Sequence, residues 1–84
     1  MSAEVVMPRF FFNLVNQDEV ADPEGMVLDS PAEARAEAIR SARDIMAEEV
    51  RHGRLPLANR IEVADEHGRP ILAVPFRDAI KIEE

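Results

Sequence analysis

"RIEVADEHGRPILAVPF", residues 60–76, is the stretch on which the fold turns. Two strand-like runs, "RIEVAD" and "PILAVPF", flank "DEHGR". Asp65 has the side chain that opens a type I turn, and Gly68 stands where such a hairpin takes a left-handed residue. The stretch therefore predicts an antiparallel hairpin with strands at 60–65 and 70–76. A helix here would overturn everything built on it. Pro75 lacks an N–H, so the second strand belongs at a sheet edge or leaves the sheet at that point.

Upstream lies "DSPAEARAEAIRSARDIMAEEVRHG", residues 29–53, which reads as a helix over about 31–52. Ser30 is placed as N-cap, Pro31 suits the first helical position, and Glu33 completes a capping box. Alanines at 32, 34, 36, 38, 42 and 47 favour the helix. Ala38, Ile39, Ala42, Ile45, Met46 and Val50 form one apolar stripe. Glu33, Glu37, Arg40, Asp44, Glu48 and Arg51 form the opposite, solvated face. Arg51 complements the helix dipole, and Gly53 suits the left-handed position after the last turn.

Further upstream, "PRFFFNLV" (8–15) predicts a strand over 9–14. After a turn at "NQDE", the pieces "VAD" and "MVLD" form a short partner strand interrupted by "DPEG", where Pro23 and Gly25 mark a turn. "AIKIE" (79–83) is a candidate for a short last strand. The order reads ββαββ, and the compact solution is an α+β two-layer domain, one helix packed on an antiparallel sheet. The expected core is Phe10, Phe12, Leu14, Ile39, Ala42, Ile45, Met46, Ile61, Val63, Leu72 and Val74. Residues 54–59 are a loop, residues 1–6 a flexible N-terminal extension, and 7–84 a single domain.

"MPRFFFNLV" from Met7, "DPEGMVL", the Ala/Arg/Glu-rich helix, "RIEVADEHGRPI" and "VPFRDAIKIE" together resemble a family of small bacterial proteins known only as a domain of unknown function. Its members open with M-P-R-[YF]-F-F, and the resemblance runs from Met7 to Glu83. It implies a stand-alone small domain, carries no catalytic residues, and suggests Met7 as the natural start. "NQDE" departs from the glycine-containing turn expected of the family.

The 84 residues suffice for one small domain. With 46% hydrophobic and 32% charged residues, the composition is that of a globular protein and argues against wholesale disorder. No cysteine is present, which excludes disulfides, thiol catalysis and cysteine-ligated metals. No apolar run is long enough to span a bilayer, and Glu4, Pro8 and Arg9 break the only candidate leader, so a cytoplasmic location without membrane contact is expected. The net charge is −7, concentrated in the first 29 residues, where six acids face Arg9 alone. Such a chain repels phosphate backbones, making nucleic acid an unfavoured partner.

Catalytic chemistry finds little footing. His52 and His67 are the only two histidines, and neither has a second histidine at helical ligand spacing. "DEVADPEG" offers Asp18, Asp22 and Glu24 but fails the calcium-loop pattern at Val20 and Pro23. Ser2, Ser30 and Ser41 lack a base and any G-x-S-x-G context, and Glu48–Glu49 diverge on the helix. The expectation is no enzyme, no metal and no cofactor. The basic cluster Arg51, His52, Arg54 and Arg60 is a weak anion-site candidate, because the helix C-terminus repels anions. An anionic-ligand or nucleic-acid accessory role through Arg51, Arg54 and Arg60 stands as the alternative to a protein-interaction or self-assembly module.

"RFFFN" (9–13) points to the surface such a module would use. Three of the chain's four Phe are adjacent, and strand alternation sends Phe10 and Phe12 to one face and Phe11 to the other. The helix covers the first face. Phe11 is left beside Ile71 or Ala73 on the second. It is covered there by the N-terminal tail (Val5, Val6, Met7), by the 54–59 loop (Leu55, Leu57) or by a partner in a symmetric homodimer, or it is left in water as a single exposed Phe.

Overall fold

The computed structural model describes residues 8–84. The predicted extension at 1–6, and Met7 as a start, lie outside the described residues. The chain runs β1 (Arg9–Val15), β2 (Glu19–Val20), β3 (Met26–Val27), α1 (Pro31–Arg51), β4 (Arg60–Ala64), β5 (Pro70–Pro75) and a 3₁₀ turn (Phe76–Asp78). All strand pairs are antiparallel, in the order β2-β1-β4-β5, with β3 also pairing β1. The α+β class expected from the sequence is the class observed.

The partner of β1 is one strand broken in two. Leu14 pairs with Val20 and Val15 with Glu19, whereas Phe10 pairs with Met26 and Arg9 with Val27. Residues 11–13 of β1 therefore face residues 21–25, two more than regular pairing accommodates. Asp22 absorbs the mismatch. Its carboxylate accepts the N–H of Phe12 at 3.2 Å and those of Glu24 and Gly25 at 3.1 Å each, and its own N–H donates to Asn13 Oδ1 at 2.9 Å. The β1–β2 turn needs no glycine because Asn16 Oδ1 accepts the Asp18 N–H at 2.7 Å.

The 60–76 hairpin forms as its turn chemistry dictates. Gly68 N–H donates to Asp65 O at 3.0 Å, Gly68 has φ of 79°, and Asp65 Oδ1 accepts the N–H groups of His67 and Arg69 at 2.9 Å each. The register slips between Val63↔Leu72 and Ala64↔Pro70, which leaves Ile71 as the unpaired residue of a bulge. β5 is the sheet edge and ends at Pro75, one residue before the expected limit.

Ser30 Oγ accepts the Glu33 N–H at 3.3 Å, but Glu33 reaches back to the N–H of Asp29, at 3.1 Å, not to that of Ser30. At the other end Gly53 has φ of 81°, with Gly53 N–H on Val50 O at 2.9 Å and Arg54 N–H on Glu49 O at 3.0 Å. These two bonds make a Schellman motif. The apolar contact that often accompanies it is replaced by an ion pair, Arg54 Nε to Glu49 Oε2 at 2.8 Å.

α1 buries Ala34, Ala38, Ala42 and Met46 against Phe10, Ile61, Val63 and Val74, with Phe12, Leu14, Ile39, Ile45 and Leu72 packed around them. Every residue of the expected core is thus buried or packed against it. Val50 departs from the predicted stripe: it is 55% exposed. "AIKIE" forms no strand. After Pro75 the chain turns through the 3₁₀ segment, and Arg43 Nε holds Ala79 O at 2.6 Å, so Phe76 and Ala79 become buried core residues.

Candidate functional site

The only helix longer than one turn among the described residues lies on the Phe10–Val63 side of the sheet. On the other side, strand alternation places Phe11, Asn13 and Val15 of β1, Arg60, Glu62 and Ala64 of β4, and Ala73 of β5. Among the described residues no helix covers them.

Phe11 is partly exposed and pairs across the ladder with Ala64, the small buried residue at the end of β4. Beside them lies a hollow of about 300 Å³, lined by Phe11, Asn13, Asp22, Ala64, Asp65, Glu66 and Gly68. Its walls come from the two irregular segments described above: the 21–25 interruption and the β4–β5 turn. Burial pushes the Asp22 carboxyl up, but the N–H groups of Gly25, Phe12 and Glu24 together hold it below its ordinary value. The Arg69 N–H, aided by that of His67, likewise holds Asp65 below the usual aspartate value. Both stay anionic through the neutral range.

Of the two internal covers considered for Phe11, only the 54–59 loop falls among the described residues. Leu57 packs against the helix-side core and Leu55 is 46% exposed, so the 54–59 loop does not lie over Phe11. The tail with Val5, Val6 and Met7 is outside the described residues. Gly25 lies against the ring instead: a Cβ there would come within 2.9 Å of Phe11 Cε1. No sequence signal singled out Gly25 for this contact, because it depends on the register of the interrupted strand.

Ile71 and Ala73 are exposed on β5, and β4 stands between them and Phe11. The three candidate interface residues thus spread across the sheet without clustering. Each of the anion-site candidates meets a carboxylate. Arg51 Nη1 lies 3.1 Å from Glu48, Arg54 is held by Glu49, and Arg60 Nη2 lies 3.4 Å from Glu62. His52 approaches Glu48 at 3.3 Å and His67 approaches Glu66 at 3.8 Å, both as exposed side chains. A second hollow of about 350 Å³ at the helix end is lined by Val50, Gly53, Arg54 and Leu55.

Among the described residues no helix is long and apolar enough to cross a membrane. Comparison with curated proteins and with solved structures gives no match. The family model of a domain of unknown function (DUF6894) matches residues 9–77, from the first residue of β1 into the 3₁₀ turn, and the chain belongs to that family.

Proposed function

We propose that this chain is a non-enzymatic protein-interaction module of the cytoplasm, working through the sheet face that its helix leaves open. The supporting observation is the face itself: a partly exposed aromatic, Phe11, beside a hollow, with exposed Ile71 and Ala73 across the same sheet. The occupant is a second copy, as in a homodimer, or another protein. The alternative, an anionic-ligand or nucleic-acid accessory domain, draws less support, because each of Arg51, Arg54 and Arg60 already meets a carboxylate.

Photo-crosslinking tests the reading for either occupant. A benzophenone amino acid is placed at Phe11, at Ile71 or, as a control, at the exposed helix residue Asp44. Discrete crosslinked species from positions 11 and 71, absent from 44, are expected. No product above the helix control would refute the proposal. Light scattering on the unmodified chain identifies a second copy by a concentration-dependent mass, which Phe11→Glu should lower.

A further inference from the structure

Resting on the reading that the open sheet face docks a protein, we infer that its Phe11 end receives an arginine side chain from a basic segment of a different protein. The charge of the face carries this choice of occupant. The hollow joins an aromatic ring, Phe11, to three acidic residues, Asp22, Asp65 and Glu66, and among the described residues no basic side chain lines it. A guanidinium stacks on an aromatic face and presents a fork of N–H donors to carboxylates, so one side chain answers both features.

Two of the three carboxylates are held in place before any partner arrives. Asp22 is fixed by three backbone N–H groups and Asp65 by two, both received on Asp65 Oδ1. Preorganisation of this kind lowers the ordering cost of association. Of the chain's own cations nearby, Arg9 donates to Glu24 O at 2.8 Å and Arg60 lies 3.4 Å from Glu62, while Arg69 and, when protonated, His67 attract Asp65 without lining the hollow. A second copy would bring the same acidic rim and another net charge of −7 to the face, which repels it. A basic segment is attracted by the same field.

The test is an NMR titration of the ¹⁵N-labelled full chain with the peptide Ac-Gly-Ser-Arg-Ser-Gly-NH₂ and with its citrulline counterpart, which keeps the shape and removes the charge. Amide shifts are expected around Phe11, Asn13, Gly25 and residues 64–68. Phe11→Leu and Glu66→Gln should each weaken binding about 3- to 10-fold, and raising salt from about 50 to about 500 mM should weaken it further. Glu66 is exposed, so its variant remains informative if Phe11→Leu unfolds the chain. Shifts on the α1 surface instead of the hollow, equal binding of the citrulline peptide, or indifference to Glu66→Gln would overturn the inference. Spermidine giving the same shifts at lower concentration would reassign the hollow to a small polyamine. A dimer closing over Phe11 would reassign it to a second copy, with the interaction reading intact. Only the absence of crosslinks at positions 11 and 71 removes that reading itself.

Discussion

Replacing Gly25 by alanine should destabilise the domain far more than the same change at the other two glycines. All three glycines have positive φ: 70° at Gly25, 81° at Gly53 and 79° at Gly68. Each substitution therefore carries the left-handed backbone cost, about 1–2 kcal/mol. At Gly53 and Gly68 a Cβ meets nothing within 4 Å, so that cost is the whole effect. At Gly25 it would stand 2.8 Å from Phe10 O, 2.9 Å from Phe11 Cε1 and 3.0 Å from Arg9 Cγ. The nearest atom is a backbone carbonyl in the β1–β3 pairing, which cannot swing aside as a side chain can. Forcing extra volume into a packed site adds about 1–3 kcal/mol, for about 2–5 kcal/mol in all. A domain of this length has roughly 4–13 kcal/mol to lose. Urea unfolding followed by the helix signal in circular dichroism reads the difference as a shift in midpoint at constant slope. In thermal unfolding each kcal/mol moves the midpoint by about 4–8 °C. If Gly25→Ala falls within about 0.5 kcal/mol of Gly68→Ala, the variation expected of a surface change, the close approach of residue 25 to β1 is wrong.

Other consequences are equally measurable. Met46→Ala should cost about 2–5 kcal/mol because Met46 is 3% exposed, whereas Val50→Ala on the same helix should cost under about 0.5 kcal/mol; similar values would place the wrong face inward. Phe76→Ala should cost about 3–5 kcal/mol, and a small effect would contradict its complete burial under the last turn. Asp22 and Asp65 have folded-state values below their unfolded ones, so their stabilisation is complete above about pH 4 and is lost as pH falls through the lower folded values. Thermal midpoints measured from pH 7 to pH 2 should therefore fall less steeply at the acid end in Asp22→Asn and Asp65→Asn; an unchanged acid limb would contradict the hydrogen bonds assigned to them. His52→Ala and His67→Ala should each change stability by less than about 0.5 kcal/mol, a larger loss in chemical denaturation indicating a contact beyond the exposed carboxylates beside them.

The elements legible in the sequence are those specified by local chemistry. Ser30, Pro31 and Gly53 bracket the helix, and Asp65 with Gly68 makes the hairpin turn, because each acts through backbone groups a few residues away. Alternation along β1 likewise separates Phe10 from Phe11 before any partner is known. What was not legible depends on distant pairing. The burial of Phe76 requires the chain to leave the sheet at Pro75 and Arg43 to hold Ala79 O. The cover over Phe11 requires a two-residue surplus opposite β1, taken up by Asp22. Glu66 drew no attention in the sequence because nothing local distinguishes it from any other charged turn residue. Only the closure of the hairpin beside Phe11 brings it to the hollow.

The two rims of the sheet bear on what the open face can safely do. On one rim the outer strand is cut into two-residue pieces by Asp22, Pro23 and Glu24; on the other, β5 is bounded by Pro70 and Pro75 and carries a bulge at Ile71. Short strands, prolines, charges and bulges are the features that deny an incoming strand a continuous ladder to copy. Chains meeting edge to edge therefore have no template for propagation into fibrils. An aromatic left at the surface can remain adhesive toward one partner without seeding open-ended growth, and contacts made there stay finite in number.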